Sequence, residues 1–261
     1  MVCSSAGEIP TITTNHSISS RLMAFTFLMP WQQSFQGSNA DDVVYTFSNN
    51  QTIDVEEGDN FVLSLGNNTE ANSGHGDDTF IMLGANQEVR SSGGDNVVMT
   101  GFGDDLVVLG DGDDRVSSFG GNNTINTAGG DDYIKVGDGN DWLFSGDGDD
   151  IIHGGGGSNF MNAGDGDDIL VATGTVRDTL TGGAGGDTFD ISEAEGDVRI
   201  NDFSFAEGDV LRIDAGIVGQ AFFTGQLQQG DDAVVDYSGG TITVKDFFSE
   251  GPINFNQIEL V

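Results

Sequence analysis

The chain has 261 residues and sets 43 Asp and Glu against 8 Lys and Arg, a formal net charge of −35. Such a surface repels nucleic acid and anionic lipid, and carboxylates about 5 Å apart repel by roughly 1 kcal/mol even in water, so the chain either stays disordered or gathers cations. Hydrophobic content of 36% beside 41 glycines excludes a thick conventional core, the single Cys3 excludes disulfide bracing, and no apolar run reaches the roughly 18 residues of a membrane span.

Residues 1–36 form a polar lead followed by an apolar stretch, "RLMAFTFLMPW" at 21–31. Arg21 is the one basic residue ahead of its apolar part and no small-x-small cleavage site follows it, so it reads as an apolar N-terminal cap rather than a cleaved signal peptide. Met1 and Met23 both remain open as the first residue.

From Gly37 to Val171 a nine-residue register runs through fifteen units without insertion or deletion, including "LGDGDDRVS" at 109, "SGDGDDIIH" at 145 and "AGDGDDILV" at 163. Position 8 is apolar in every unit, from Val44, Ile53 and Val62 to Ile152, Met161 and Leu170. After a one-residue insertion within 172–181 the phase resumes at Leu180 and Phe189. One inward residue per nine, with β-branched neighbours and a Gly/Asp/Asn loop, predicts a very short strand and a tight turn. Two strands and two turns, the content of two successive units, then close one coil.

These units resemble the RTX nonapeptide G-G-x-G-x-D-x-U-x, and the resemblance covers about 37–190. It implies an all-β fold, a right-handed parallel β-roll with two nonapeptides, about 18 residues, per turn, in a secreted protein that binds several Ca²⁺ ions. In that family the position-6 aspartates and the loop carbonyls of successive coils enclose each ion, and oxygen-only ligands suit a hard cation. The implied metal set is Asp78, Asn96, Asp114, Asp132, Asp150, Asp168 and Asp187 on one side and Asp105, Asp141 and Asp178 on the other. The loop positions are Gly110, Gly112, Gly130, Gly137, Gly139, Gly146, Gly148, Gly164, Gly166, Gly183 and Gly185.

Taking alternate units separately, the two sides differ. On the first, position 6 is Asp or Asn throughout, from Asp42 and Asn60 to Asp187. On the second it is Gln51, Thr69, Gln87, Asp105, Asn123, Asp141, Asn159 and Asp178, never two aspartates in neighbouring coils. A strong calcium ladder is therefore expected along the first side, best formed between Asp114 and Asp187. Partial sites are expected opposite, with no metal at Gln51, Thr69 and Gln87.

Residues 191–261 leave the register. "INDFSFAEGDVLRID" and "DDAVVDYSGGTITVKDF" read as strands with Gly-containing turns, and Phe203, Phe205, Leu211, Ile213, Phe247 and Phe248 can lid the roll. Both stretches, and the terminal "QIELV", resemble the capping and secretion-linked region of type I secretion substrates. That implies export without a cleaved N-terminal signal.

Catalytic patterns are missing: there is no H-E-x-x-H, G-x-S-x-G or P-loop, and His16, His75 and His153 share no spacing. Basic residues are scattered, which speaks against a groove for acidic polysaccharide. Position 7 runs Val43, Thr52, Phe61, Glu70, Thr79, Glu88, Val97, which is no ice-binding ladder. Tyr133, Trp142 and Phe160 share that position, either as an exposed aromatic strip for a partner or sugar or as rings that cover the roll or pack on its cap. The expectation is a non-catalytic, calcium-binding extracellular module with a structural or adhesive role toward cell-surface, matrix or particle-coat components. The alternative is an enzyme, or an auxiliary module of a polysaccharide-modifying or proteolytic secreted enzyme.

Overall fold

A computed structural model describes residues 24–28, 32–214, 228–229, 232–236, 240–247 and 257–261. His16, Trp31, Phe248 and the choice between Met1 and Met23 lie outside the described residues. There is no α-helix among the described residues; alternate strands build two sheets of 12 and 13 strands. Each nonapeptide supplies one strand, and consecutive units go to opposite sheets, because a Gly/Asp/Asn turn reverses the chain after a few extended residues.

Pairing within the sheets is parallel and links each strand to the one two units on. Val44 meets Val62 and Val116 meets Ile134 in the first sheet, and Ile125 meets Leu143 in the second. Stacking extends beyond the nonapeptide register at both ends. Ala24–Leu28 already pairs with Asp42–Thr46, and Ser34–Gln36 with Thr52–Asp54. The one-residue insertion appears where Phe160 meets Thr179 and Ile169 meets Thr188. Rungs then lengthen. Thr188 meets Val210, Val198 meets Ile242 and Leu211 meets Ile258, all still parallel. Asp232–Asp236 and Gln228–Gln229 alone add antiparallel strands to the second sheet.

The position-8 side chains are all buried between the sheets. Fully burying a residue of this size contributes about 2 kcal/mol, so the thin core gains its stability by repetition. Position 1 also points inward, which the sequence reading missed. Thr46, Ser64, Thr100, Thr127 and Ser145 are completely buried there. Strand alternation explains it: positions 6, 8 and the next position 1 lie two residues apart and face the same way. At the C-terminal end Phe203 packs on Phe189, and Phe205 meets Phe203 and Phe247 edge-on at centroid distances of 5.0 Å.

Candidate metal centre

The turns form two edges. On the first edge the position-6 residues build a continuous ladder in which each backbone N–H donates to the side-chain oxygen one coil on. Asn96 donates to Asp114 Oδ1 at 2.8 Å, Asp114 to Asp132 at 2.7 Å, Asp132 to Asp150 at 2.7 Å and Asp150 to Asp168 at 2.8 Å. The ladder runs from Asp42 through Asp78 to Asp187, whose N–H donates to Asp209 Oδ1. Asp209 lies outside the nonapeptide register, and only the "GD" before Val210 hinted at it. On the second edge the ladder starts at Gln87 and passes through Asp105, Asn123, Asp141 and Asn159 to Asp178.

Position 5 carries a second ladder that runs the opposite way. The N–H groups of Asp95, Asp113, Asp131, Asp149 and Asp167 each donate to the position-5 carboxylate one coil back. These exposed aspartates clamp turn to turn. The second edge has Asn86, Asp104, Asn122, Asn140 and Ser158 at this position, so the clamp is richest in carboxylates on the first edge.

Seven of the position-6 aspartates use only one oxygen in this way. Oδ2 of Asp78, Asp114, Asp132, Asp150 and Asp168 on the first edge, and of Asp105 and Asp141 on the second, is buried outside hydrogen-bond geometry; the position-1 hydroxyls of Ser73, Thr127, Ser145 and Thr100 lie close enough to Asp78, Asp132, Asp150 and Asp105 to lower them against the effect of burial. Burying an acceptor unpaired costs about 1–3 kcal/mol, and more when it is charged. Burial accordingly pushes Asp114, Asp132, Asp168, Asp178 and Asp187 up to about 7, against the donated N–H and with help from neighbouring carboxylates. Asp105 and Asp141 rise to about 6 for the same reason. Asp78 and Asp150 are raised as well.

Where position 6 is an amide, the pattern changes. Asn96 Nδ2 donates to the Gly94 carbonyl at 2.7 Å and to Asp114 Oδ1 at 3.0 Å. Asn60 and Asn123 reach the carbonyls of Gly58 and Gly121, and Gln51 and Gln87 those of Asn49 and Ala85. Each amide thus satisfies the position-4 carbonyl of its own turn. Asn159 is the exception, its Nδ2 unpartnered beside the longer coil. In the aspartate turns the carbonyls of Gly76, Gly112, Gly130, Gly148 and Gly166 accept no hydrogen bond among the described residues. Turn carbonyl and carboxylate oxygen are both left over in the same turns.

Glycine at position 4 allows this packing. Gly148 has φ of 129°, and a Cβ there would collide with the Gly130 carbonyl oxygen of the preceding coil. Of the remaining glycines implied as metal-site positions, Gly110, Gly112, Gly130, Gly146, Gly164, Gly166, Gly183 and Gly185 stand in first-edge turns, and Gly137 and Gly139 in the second. Among the described residues no three His, Cys, Asp or Glu side chains converge on one point. A cation at these edges would therefore draw on one or two carboxylates and complete its shell with backbone carbonyls, a donor set suited to Ca²⁺. The orphaned oxygens fit such an ion.

Tyr133, Trp142 and Phe160 do not lie on one strip. Tyr133 belongs to the first sheet, beneath the Arg115 guanidinium at 4.2 Å and beside His153. Trp142 and Phe160 stack at 5.4 Å on the second sheet. Units an odd number of repeats apart fall on opposite sheets, so shared repeat position does not mean shared face.

Residues 90–125, 117–152, 136–170 and 171–190 match the model of the RTX calcium-binding nonapeptide repeat in four copies. No curated protein matches the chain. Among solved structures, the extracellular lipase LipA from Serratia marcescens is similar at 16% identity and a TM-score of 0.28, over 85% of this chain and 45% of that one. The chain thus spans less than half the length of that lipase.

Proposed function

From the premise that the chain carries RTX calcium-binding nonapeptide repeats, we propose that it is a non-catalytic extracellular module whose β-roll folds on capturing Ca²⁺. One observation carries this reading: buried, unpartnered aspartate oxygens coincide with unpaired turn carbonyls, and both are absent where Asn96 or Asn123 supplies an N–H of its own. Asp114, Asp132, Asp150 and Asp168 hold the ions on the first edge, with the carbonyls of Gly112, Gly130, Gly148 and Gly166. Asp105 and Asp141 offer weaker positions opposite, each isolated between amides. The bound ion supplies positive charge where protons would otherwise have to be retained.

In calcium-poor surroundings the −35 charge keeps the chain extended and exportable. At the millimolar calcium of extracellular modules the ladders close and the module takes up a structural or adhesive role. Circular dichroism and thermal melting with calcium and with chelator test this. A calcium-dependent gain of β signal is expected; a chain equally folded and equally stable in chelator would refute it.

A second reading, as an auxiliary module of a polysaccharide-modifying enzyme, is favoured by one feature. A groove of about 650 Å³ on the second sheet is lined by Trp142, Phe160, Thr175, Arg177, Thr179 and Asp197. The exposed Trp142 ring and the half-buried Phe160 beside hydroxyl and charged groups suit a sugar face. Saturable quenching of Trp142 fluorescence by a neutral oligosaccharide, absent in a Trp142→Ala variant, is the outcome that would move the proposal that way.

A further inference from the structure

The outward face of the second sheet changes character at Leu106. Before it the strands present Asp54, Glu70 and Glu88. From Leu106 to Asn201 the two outward columns of this sheet carry no carboxylate, in a chain with 43 Asp and Glu. One column runs Thr124, Trp142, Phe160, Thr179 and Arg199, each paired with the next one coil on. Beside it stand Asn126, Phe144, Asn162 and Thr181, and Asn201 joins them by donating from Nδ2 to Thr181 Oγ1 at 3.0 Å. Trp142, Phe144 and Phe160 form one cluster of rings with centroids 5.4 to 6.4 Å apart, and Trp142 is 57% exposed. The hydroxyls of Thr124 and Thr179 and the amide of Asn162, which flank those rings, have no hydrogen-bond partner among the described residues. Carboxylates stand only at the rims, as Asp147 and Asp165 do towards the first edge.

We propose that this face binds a linear neutral glycan, laid along the roll axis across successive rungs. The ligand class follows from what each alternative leaves unpaired. A polyanion meets the field of a −35 chain and the rim carboxylates, and Arg177 is already paired with Asp197 at 3.1 Å. A cationic partner finds no carboxylate beneath it on the two columns. A wholly apolar partner buries the hydroxyls and amides beside the rings without partners, which is costly. A pyranose meets both requirements, with an apolar C–H face for the rings and hydroxyls for the Thr and Asn side chains around them. Spacing agrees. Rungs repeat at about 4.8 Å, close to the length of one pyranose unit in an extended chain, so successive sugars can meet successive rungs. The groove at Trp142 and Phe160 is one stretch of this track. Thr175 and Val176, from the coil that carries the one-residue insertion, line it, and a second groove at Arg199 and Thr243 shares Arg177 and Asp197 with it.

The inference rests on the groove of the second reading and extends it along the sheet, and such a site serves an adhesive module as well as an auxiliary one. The test is isothermal titration calorimetry of the full chain in millimolar calcium with cellohexaose, laminarihexaose and β-1,4-mannohexaose, and with hexagalacturonate as the charged comparison. Circular dichroism with calcium and with chelator, on the same samples, reads the calcium dependence separately. Saturable binding of at least one neutral hexasaccharide is expected, at least ten-fold weaker for the disaccharide of the same linkage and for Trp142→Ala, and unchanged for Tyr133→Ala on the opposite sheet. Should Trp142→Ala misfold, Thr179→Glu, which sets a carboxylate on the column, takes its place. A folded wild type that binds none of the three neutral sugars overturns the inference and leaves the calcium reading standing. So does a preference for hexagalacturonate, an equal affinity for the disaccharide, or binding that the folded variant leaves intact.

Discussion

Asp132 and Asp150 stand one coil apart on the first edge, and the Asp132 N–H donates to Asp150 Oδ1 at 2.7 Å while Oδ2 of each is buried without a partner. One oxygen of each carboxylate holds the coils together and the other is available to a cation. Asp132→Asn keeps the first function and removes the second, since the new amide can donate to the Gly130 carbonyl as Asn96 does to that of Gly94. The expected result is a loss of at least one bound Ca²⁺ by isothermal titration calorimetry, together with a higher melting temperature in chelator.

The reverse change is Asn96→Asp. It removes the 2.7 and 3.0 Å bonds of Nδ2 and sets a carboxylate beside Asp114. Without calcium this variant should be less stable by about 1–3 kcal/mol, the cost of buried unpaired groups. With calcium its stoichiometry should rise, and denaturant melts in both conditions measure the two effects. Equal destabilisation with and without calcium would mean that no ion sits at this rung.

Raised aspartate values set the pH dependence. In the fold Asp114, Asp132, Asp168, Asp178 and Asp187 keep protons up to about pH 7, whereas the unfolded chain loses them near its ordinary value of 3.8. Between those limits the folded state binds more protons, so metal-free stability falls as pH rises and is lost through about pH 7. Melting temperatures in chelator should therefore drop from about pH 5 to about pH 8. Calcium affinity should rise over the same window, because the ion competes with those protons. A metal-free melting temperature that climbed with pH would contradict the burial of these groups.

Gly148→Ala tests the coil contact itself. At φ of 129° and with the Gly130 carbonyl in the way of a Cβ, the substitution should cost more than about 1 kcal/mol with or without calcium. Gly129→Ala is the control, since its Cβ would meet nothing closer than 3.5 Å and its φ is not in the left-handed region. Thermal melts of the two variants should differ clearly, and parity between them would mean that the turns are looser than this packing.

The repeat length, the buried position-8 column and the inequality of the two edges were readable in the sequence, because each recurs with every unit or every second unit and local alternation dictates which way a side chain points. Other features required the coils to close. Asn96 and Asp114 stand a full coil apart along the chain, yet Nδ2 of one lies 3.0 Å from Oδ1 of the other. Nothing in the local sequence says that an amide on one rung satisfies a carbonyl and a carboxylate where its neighbours leave both unpaired. Position 7 looked patternless in unit order and misled over Tyr133 and Trp142. Divided between sheets, it separates Val43, Phe61, Thr79 and Val97, all uncharged, from Thr52, Glu70 and Glu88.

A single strand sequence carries its own in-and-out alternation, and so the chain alone determined a calcium-type β-roll with one richer edge. Which oxygens are left unpaired, and which outward side chains merge into one face, depends on neighbours a full coil away. Only tertiary structure could decide these, because a hydrogen bond or a shared surface exists between coils rather than within one.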